Sequence, residues 1–330
     1  MLNQTYTAPL NRLLSYGDAR GSSAKDWPNY VQELGLTAEH IPALIQMAED
    51  DQLWSFFFAD PDAPDNEPVE EGALDPDIAL WAPIHAWRAL GQLQAAEAVK
   101  PLAQVLQQRD IDWCWEELPD VFGLIGAEAI APLDELLSTD NIDYNSKITL
   151  ASGLTHIAQA FPDQRDRCVE VITRQLSHYD NHHISVNGAL VLALFKLKAV
   201  ESAAVMAAAY EAGKVDEMFV GSWPRVQVDL GLKQASDFTA EELSIHYTPE
   251  QEKLMANIRA YVNRHQPSAA ELGLPIKREA FGFDKPPNFK DIAAQSGSQK
   301  LPSKSGFGSG AKSSRKQGKK RSDNRGKHPR

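Results

Sequence analysis

Ala96-Glu-Ala-Val-Lys-Pro-Leu-Ala-Gln-Val-Leu106 and Ala127-Glu-Ala-Ile-Ala-Pro-Leu-Asp-Glu-Leu-Leu137 are two versions of one segment, 31 residues apart. Ala, Glu, Ala, Pro, Leu and the final Leu are identical. Each copy follows an apolar segment that ends in glycine or close to one, Trp87-Arg-Ala-Leu-Gly-Gln-Leu93 and Val121-Phe-Gly-Leu-Ile-Gly126. The pattern reads as a helix, a short turn and a second helix, because proline is tolerated in a first helical turn, where its missing N–H has no partner to lose. Looser copies run from 146 to 177 and from 186 to 212, where Leu197-Lys-Ala-Val-Glu-Ser-Ala-Ala204 repeats the turn. A fixed period of this length points to stacked helix pairs.

Apolar spacing agrees. Leu80, Ile84 and Trp87 share one stripe, as do Leu150, Leu154 and Ile157, and Leu190, Leu194 and Leu197; that is helical periodicity. No stretch sustains the two-residue alternation of a strand. Trp27-Pro28 precedes Leu34-Gly-Leu36 with the same spacing as Trp223-Pro224 precedes Leu230-Gly-Leu232. Asp26 and Ser222 are the expected caps and Gly35 and Gly231 the expected stops, of one short helix type used twice or of a pair of end caps.

The charge is unevenly spread. The 330 residues total −12, but residues 296–330 hold eleven Lys or Arg against Asp323, a net +10, which leaves −22 on the other 295. Eleven acids and Pro61, Pro64, Pro68 and Pro76 crowd residues 49–77, which reads as an exposed loop. Thr248-Pro-Glu-Gln251 reads as a capping box opening a helix whose apolar face, Leu254, Ile258, Tyr261 and Val262, is expected to dock on the last repeat. The longest apolar run, 189–195, is far too short for a membrane span, and the first residues do not form a secretory signal. Two cysteines, Cys114 and Cys168, make neither a disulfide framework nor a thiolate metal site, which fits a reducing cytoplasm.

The block Trp81-Ala-Pro-Ile-His-Ala-Trp-Arg-Ala-Leu-Gly91 with Ala96-Glu-Ala-Val resembles the HEAT-like repeats first named in phycobilisome lyases. The wider stretch 27–232 resembles uncharacterised bacterial HEAT-repeat proteins. That likeness rests on Glu39-His-Ile-Pro-Ala-Leu-Ile, Asp112-Trp113 with Glu116-Glu-Leu-Pro119, Val215-Asp216, Gly221-Ser-Trp223, Val226-Gln227 and Leu230-Gly-Leu. The resemblance implies an all-α fold, a right-handed α-solenoid of at least four HEAT-like pairs. The expected plan is an N-terminal helix and loop over 1–26, the solenoid over 27–232, a helical extension over 233–284 and a disordered basic tail over 285–330. The resemblance implies no reaction, because fold does not fix function.

The densest candidate site is Asp110-Ile-Asp-Trp-Cys-Trp-Glu-Glu-Leu-Pro-Asp120. First helices of neighbouring repeats lie side by side, so Trp81, His85, Asp112, Trp113, Trp115, Glu116 and Glu117 are expected to converge on an acidic–aromatic face. Carboxylates beside aromatic rings suit a basic or cationic protein segment; the alternative is tryptophans in the core and acids in water. The leading expectation is a non-enzymatic interaction scaffold. An enzyme, bilin-lyase-like or metal-dependent, is the second reading. No metal or cofactor site is assigned: the di-iron HEAT-repeat hydroxylases carry His-Glu pairs, and this chain has only the reversed Glu39-His40. His178-Tyr-Asp-Asn-His-His183 has ligand types without ligand spacing. The third reading is an RNA- or ribosome-associated protein tethered by Lys312, Arg315, Lys316, Lys319, Lys320, Arg321, Arg325 and Lys327, whose charge suits a polyanion.

Overall fold

Five times among the described residues a short 3-10 turn runs directly into a longer α-helix. The turns are Ala38–His40, Ala96–Ala98, Gly126–Ala129, Pro162–Gln164 and Val200–Ser202, and the helices are α2 (Ile41–Glu49), α6 (Val99–Gln108), α8 (Ile130–Leu137), α10 (Arg165–Ser177) and α12 (Ala203–Glu211). The computed structural model describes residues 6–19, 23–58, 74–109 and 111–265. The remaining helices are α1 (Tyr30–Leu34), α3 (Asp51–Phe57), α4 (Pro76–Ala79), α5 (Ala82–Gln92), α7 (Asp112–Ile125), α9 (Tyr144–Ala160), α11 (Ile184–Lys196), α13 (Trp223–Asp229) and α14 (Pro249–His265). The described residues contain no strand, and no helix among them is long and apolar enough to cross a membrane.

Two series of contacts organise the helices. In the first, α5 packs against α7, α7 against α9 and α9 against α11. In the second, α6 packs against α8, α8 against α10 and α10 against α12. The 31-residue period therefore appears as paired helices, and the looser copy near residue 200 uses the same turn as the sharper one. Gln94 and Lys198 both take left-handed backbone (φ 55° and 52°). The next N–H in each case reaches back five residues, Ala95 to Leu90 O (3.1 Å) and Ala199 to Leu194 O (2.9 Å). This bond satisfies a helix-end carbonyl that would otherwise lack a donor.

Glycines let the first series close up. A Cβ on Gly123 of α7 would lie 3.0 Å from the Cβ of His156 on α9. A Cβ on Gly188 of α11 would meet the Asp216 carbonyl oxygen at 2.8 Å and the Phe219 ring at 2.7 Å. That loop is pinned: the Asp216 N–H donates to Ile184 O (3.2 Å), and its carboxylate accepts from Ser185 Oγ (3.1 Å) and Gln251 Nε2 (2.8 Å).

Several expectations are met in detail and others need correction. Thr248 and Gln251 do form the reciprocal capping box, Gln251 N–H to Thr248 Oγ1 and Thr248 N–H to Gln251 Oε1. Ser222 caps α13, and Gly35 and Gly231 are left-handed (φ 64° and 77°). Asp26 is not a helix cap; Asn29 caps α1 by accepting from Gln32 N–H (3.0 Å). The stretch 49–77 is not wholly an exposed loop. Asp50 accepts the Gln52 and Leu53 N–H groups and so starts α3, which buries Leu53 and Trp54 completely. Residues 59–73 lie outside the described residues, as does the whole tail 285–330. Nor, among its described side chains, does α14 bury its apolar face: Leu254 and Ile258 stay 53% and 46% exposed, and Tyr261 is also exposed. Its first turn is tied to the repeats, Gln251 to Asp216.

Gly188→Ala should destabilise the protein by about 1–3 kcal/mol, because the methyl meets fixed backbone and the small helix-propensity gain cannot offset that overlap. Denaturant unfolding followed by circular dichroism measures it. An unchanged or higher midpoint would mean that the 216–219 loop yields freely.

Candidate functional site

The acidic–aromatic face divides in two by helix geometry. On α7, Cys114, Leu118 and Val121 are fully buried, and Glu117 falls on the same stripe three residues from Cys114 and four from Val121. Asp112, Trp115 and Glu116 point to solvent, with Trp115 39% exposed. The structure does bring Trp81 and Trp113 together, both half-buried, ring centroids 5.6 Å apart and edge to face. Phe57 of α3 extends the series, 5.7 Å from Trp81. The surface site thus comprises Phe57, Trp81, Trp113 and Trp115 with Asp112 and Glu116; Asp110 lies outside the described residues.

His85 and Glu117 do not join that surface. Both belong to a buried polar network that sequence reading did not assemble. Arg88 Nε donates to Glu117 Oε2 (2.8 Å), and an Arg88 terminal nitrogen bonds the other carboxylate oxygen, Oε1, and the Ala19 carbonyl. Trp87 Nε1 adds a further bond to Glu117 Oε2 (3.0 Å), and the Arg88 guanidinium lies over the Trp27 ring, 4.8 Å from its centroid. Burial opposes the Arg88 charge, but the Glu117 carboxylate more than offsets it and holds the guanidinium's pKa above its ordinary value. Beside this pair, His85 Nε2–H donates to Gly17 O (2.8 Å), so its Nδ1 accepts the Tyr30 hydroxyl (2.7 Å). Burial pushes His85 down to about 4 and Tyr30 up to about 12.

The other candidates resolve into local roles. His183 caps α11 by accepting from Ser185 N–H, and its ring stacks on Tyr144 at 4.5 Å. Burial lowers the pKa of His182. Among the described residues no group of three or more His, Cys, Asp or Glu side chains is placed to hold a metal ion. Cys168 and Cys114 are buried, and burial lifts their thiols to about 11 and about 12; Arg167 only partly counters this at Cys168, so neither is an activated nucleophile. His156 Nδ1 lies 2.7 Å from Asp120 and ties α9 to α7. The tail residues Lys312, Arg315, Lys316, Lys319, Lys320, Arg321, Arg325 and Lys327 lie outside the described residues. Comparison with family models, with curated proteins and with solved structures found no match to the chain.

Two adjacent glutamates should therefore behave oppositely. Glu117→Gln leaves the Arg88 charge buried without its counter-ion and should cost about 3–5 kcal/mol. Glu116→Gln should change stability by less than about 0.5 kcal/mol, as exposed substitutions do. Thermal and urea melts of the two variants decide it; equal midpoints would contradict the buried pair.

His85 gives a pH signature. Its folded pKa is below the unfolded value, so its neutral form contributes stability above pH 6.5 that is lost as pH falls toward 4. The loss amounts to about 3 kcal/mol for a shift of this size. The stability gap between wild type and His85→Gln should narrow by roughly that amount between pH 7 and pH 4. A gap that stays constant with pH would show that His85 does not titrate in this window.

Proposed function

We propose that the chain is a non-enzymatic scaffold, a right-handed α-solenoid of HEAT-like helix pairs that holds a basic or cationic segment of a partner protein. The observation that carries this reading is the edge-to-face Trp81–Trp113 pair at the surface, bordered by exposed Asp112, Trp115 and Glu116. Aromatic faces attract cations, and carboxylates beside them pair with lysine or arginine. The recurring turn-and-helix unit supports the solenoid. The engagement of His85 and Glu117 in internal bonds supports a binding role over a catalytic one, since the most chemically suggestive candidates are already occupied. The basic tail is proposed as a separate, salt-sensitive contact for RNA or ribosomes, and the cytoplasm as the setting.

A labelled octalysine peptide titrated into full-length protein tests the surface. The charge reversal Asp112→Lys with Glu116→Lys should abolish binding that the wild type shows at a stability cost of only about 1–2 kcal/mol, the cost of cations at the start of α7, because both residues are exposed. Unaltered peptide affinity in that variant would remove the α7 face from consideration.

A further inference from the structure

The Trp-Pro and Leu-Gly-Leu spacing occurs twice, and the two tryptophans meet different surroundings. Trp27 is buried, and its ring lies beneath the guanidinium of Arg88, which also grips the Glu117 carboxylate. An indole and a carboxylate together hold an arginine there. Trp223, at the second copy, is half-buried and stacks on Tyr210, centroids 5.6 Å apart and planes at 30°. These two rings line an open pocket of about 540 Å³. Four carboxylates border it, those of Glu211, Glu217, Glu241 and Glu242, and no lysine or arginine lines it among the described residues.

Hydrogen bonds within the chain tie the walls together. The Tyr210 hydroxyl donates to Gly221 O (2.8 Å), and Ser222 Oγ donates to Glu242 O (2.6 Å), which ties the start of α13 to the 239–246 segment. Glu217 accepts from the His246 N–H (2.7 Å) and lies 3.0 Å from its ring Nδ1. Asp216, next to Glu217, is the pinned loop residue bonded by Ser185 and Gln251. Glu211 and Glu241 remain exposed at the rim.

We infer that this pocket binds a guanidinium group, carried by an arginine side chain of a peptide or by a free small molecule. The chemistry repeats what the first copy does internally: a planar cation lies against an indole while carboxylate oxygens take its N–H groups. The volume suits one such side chain or a small ligand. The site is built from α12, α13 and the segment after them, and does not depend on the α7 face.

Calorimetric titration of the full-length protein tests it, with Nα-acetyl-arginine methylamide, agmatine and Nα-acetyl-citrulline methylamide as probes. Citrulline replaces the guanidinium by a neutral urea of nearly the same shape. The arginine derivative should bind about tenfold or more tightly than its citrulline counterpart. Glu211→Gln with Glu241→Gln should weaken it about threefold or more without shifting the melting temperature, since both side chains are exposed. Trp223→Leu should abolish it. The Asp112→Lys/Glu116→Lys variant should bind the arginine derivative like the wild type, which separates this site from the α7 face. Agmatine binding as tightly as the arginine derivative assigns the site to a free small cation, and weaker agmatine binding assigns it to a peptide. Equal affinity for arginine and citrulline, indifference to the double glutamine change, or no binding of any probe at about 10 mM would overturn the inference.

Discussion

The buried pair of Arg88 and Glu117 ties together the parts of the chain that no repeat explains. Arg88 comes from α5 and Glu117 from α7, and the same guanidinium reaches the Ala19 carbonyl and the Trp27 ring. Four pieces of sequence thus meet at one cation. Ions removed from water cost several kcal/mol each, and their attraction recovers this only when the remaining donors and acceptors are also satisfied. For the two ions this is largely met: Trp87 supplies a further donor to Glu117, and the Ala19 carbonyl takes an Arg88 N–H, while the indole N–H of Trp27 beside them is left without an acceptor among the described residues. An apolar replacement of the whole cluster could be as stable. What it could not supply is direction, because hydrogen bonds fix where residues 17–19 lie against α5, and greasy contacts do not. His85 repeats the device on a neutral group, linking the Gly17 carbonyl and Tyr30 through its two ring nitrogens.

Much of the helical framework was legible because it is local. Proline in the first turn, the Gln94 and Lys198 turns and the Thr248–Gln251 box all follow from residues within a few positions of one another. The assignment failed where one residue type does two jobs. The acids and prolines of 49–77 read as an exposed loop, yet Asp50 and Asp75 place their carboxylates on helix N-termini, where negative charge is favourable. Leu53 and Trp54 then supply the burial that makes α3 a packed element. Glu117 was readable in principle from its place on the Cys114–Leu118–Val121 stripe. Its partner was not, because Arg88 sits 29 residues away on a helix buried nearly all round. The apolar positions of α14 misled for the opposite reason: periodicity states that a face exists, not that the protein covers it.

The two ends of the repeat region show how one sequence device can serve fold at one place and leave chemistry open at another. The helix stops, Gly35 and Gly231, keep their left-handed backbone in both copies. The tryptophans differ in what surrounds them. Near Trp27 the chain brings an arginine and a glutamate from later helices, and the result is core. Near Trp223 it brings Tyr210 and carboxylates, and the result is a pocket. Sequence alone could match the copies but could not tell them apart, because the deciding residues come from elsewhere in the fold.

Both helix series bury apolar side chains, but their ion pairs differ in exposure. In the first, glycines allow α7 and α9 to approach at backbone distance, and the polar ties are few and at least partly buried: Arg88 to Glu117 between α5 and α7, and His156 to Asp120 between α9 and α7. In the second, much of the linkage is ionic: Lys100 on α6 meets Glu135 on α8 at 2.7 Å, Arg174 on α10 meets Asp134 on α8, and Arg165 on α10 meets Glu201 at 2.9 Å in the turn before α12. Gln175 adds hydrogen bonds from α10 to Asp134 (2.7 Å) and Ser138 (2.7 Å). Exposed ion pairs contribute about 0–1 kcal/mol each and weaken as salt rises. Close apolar packing has no such dependence, and its cost is paid in shape complementarity instead. Ionic strength therefore acts mainly on the exposed pairs of the second series, whereas the Arg88–Glu117 pair of the first, removed from water, is screened far less.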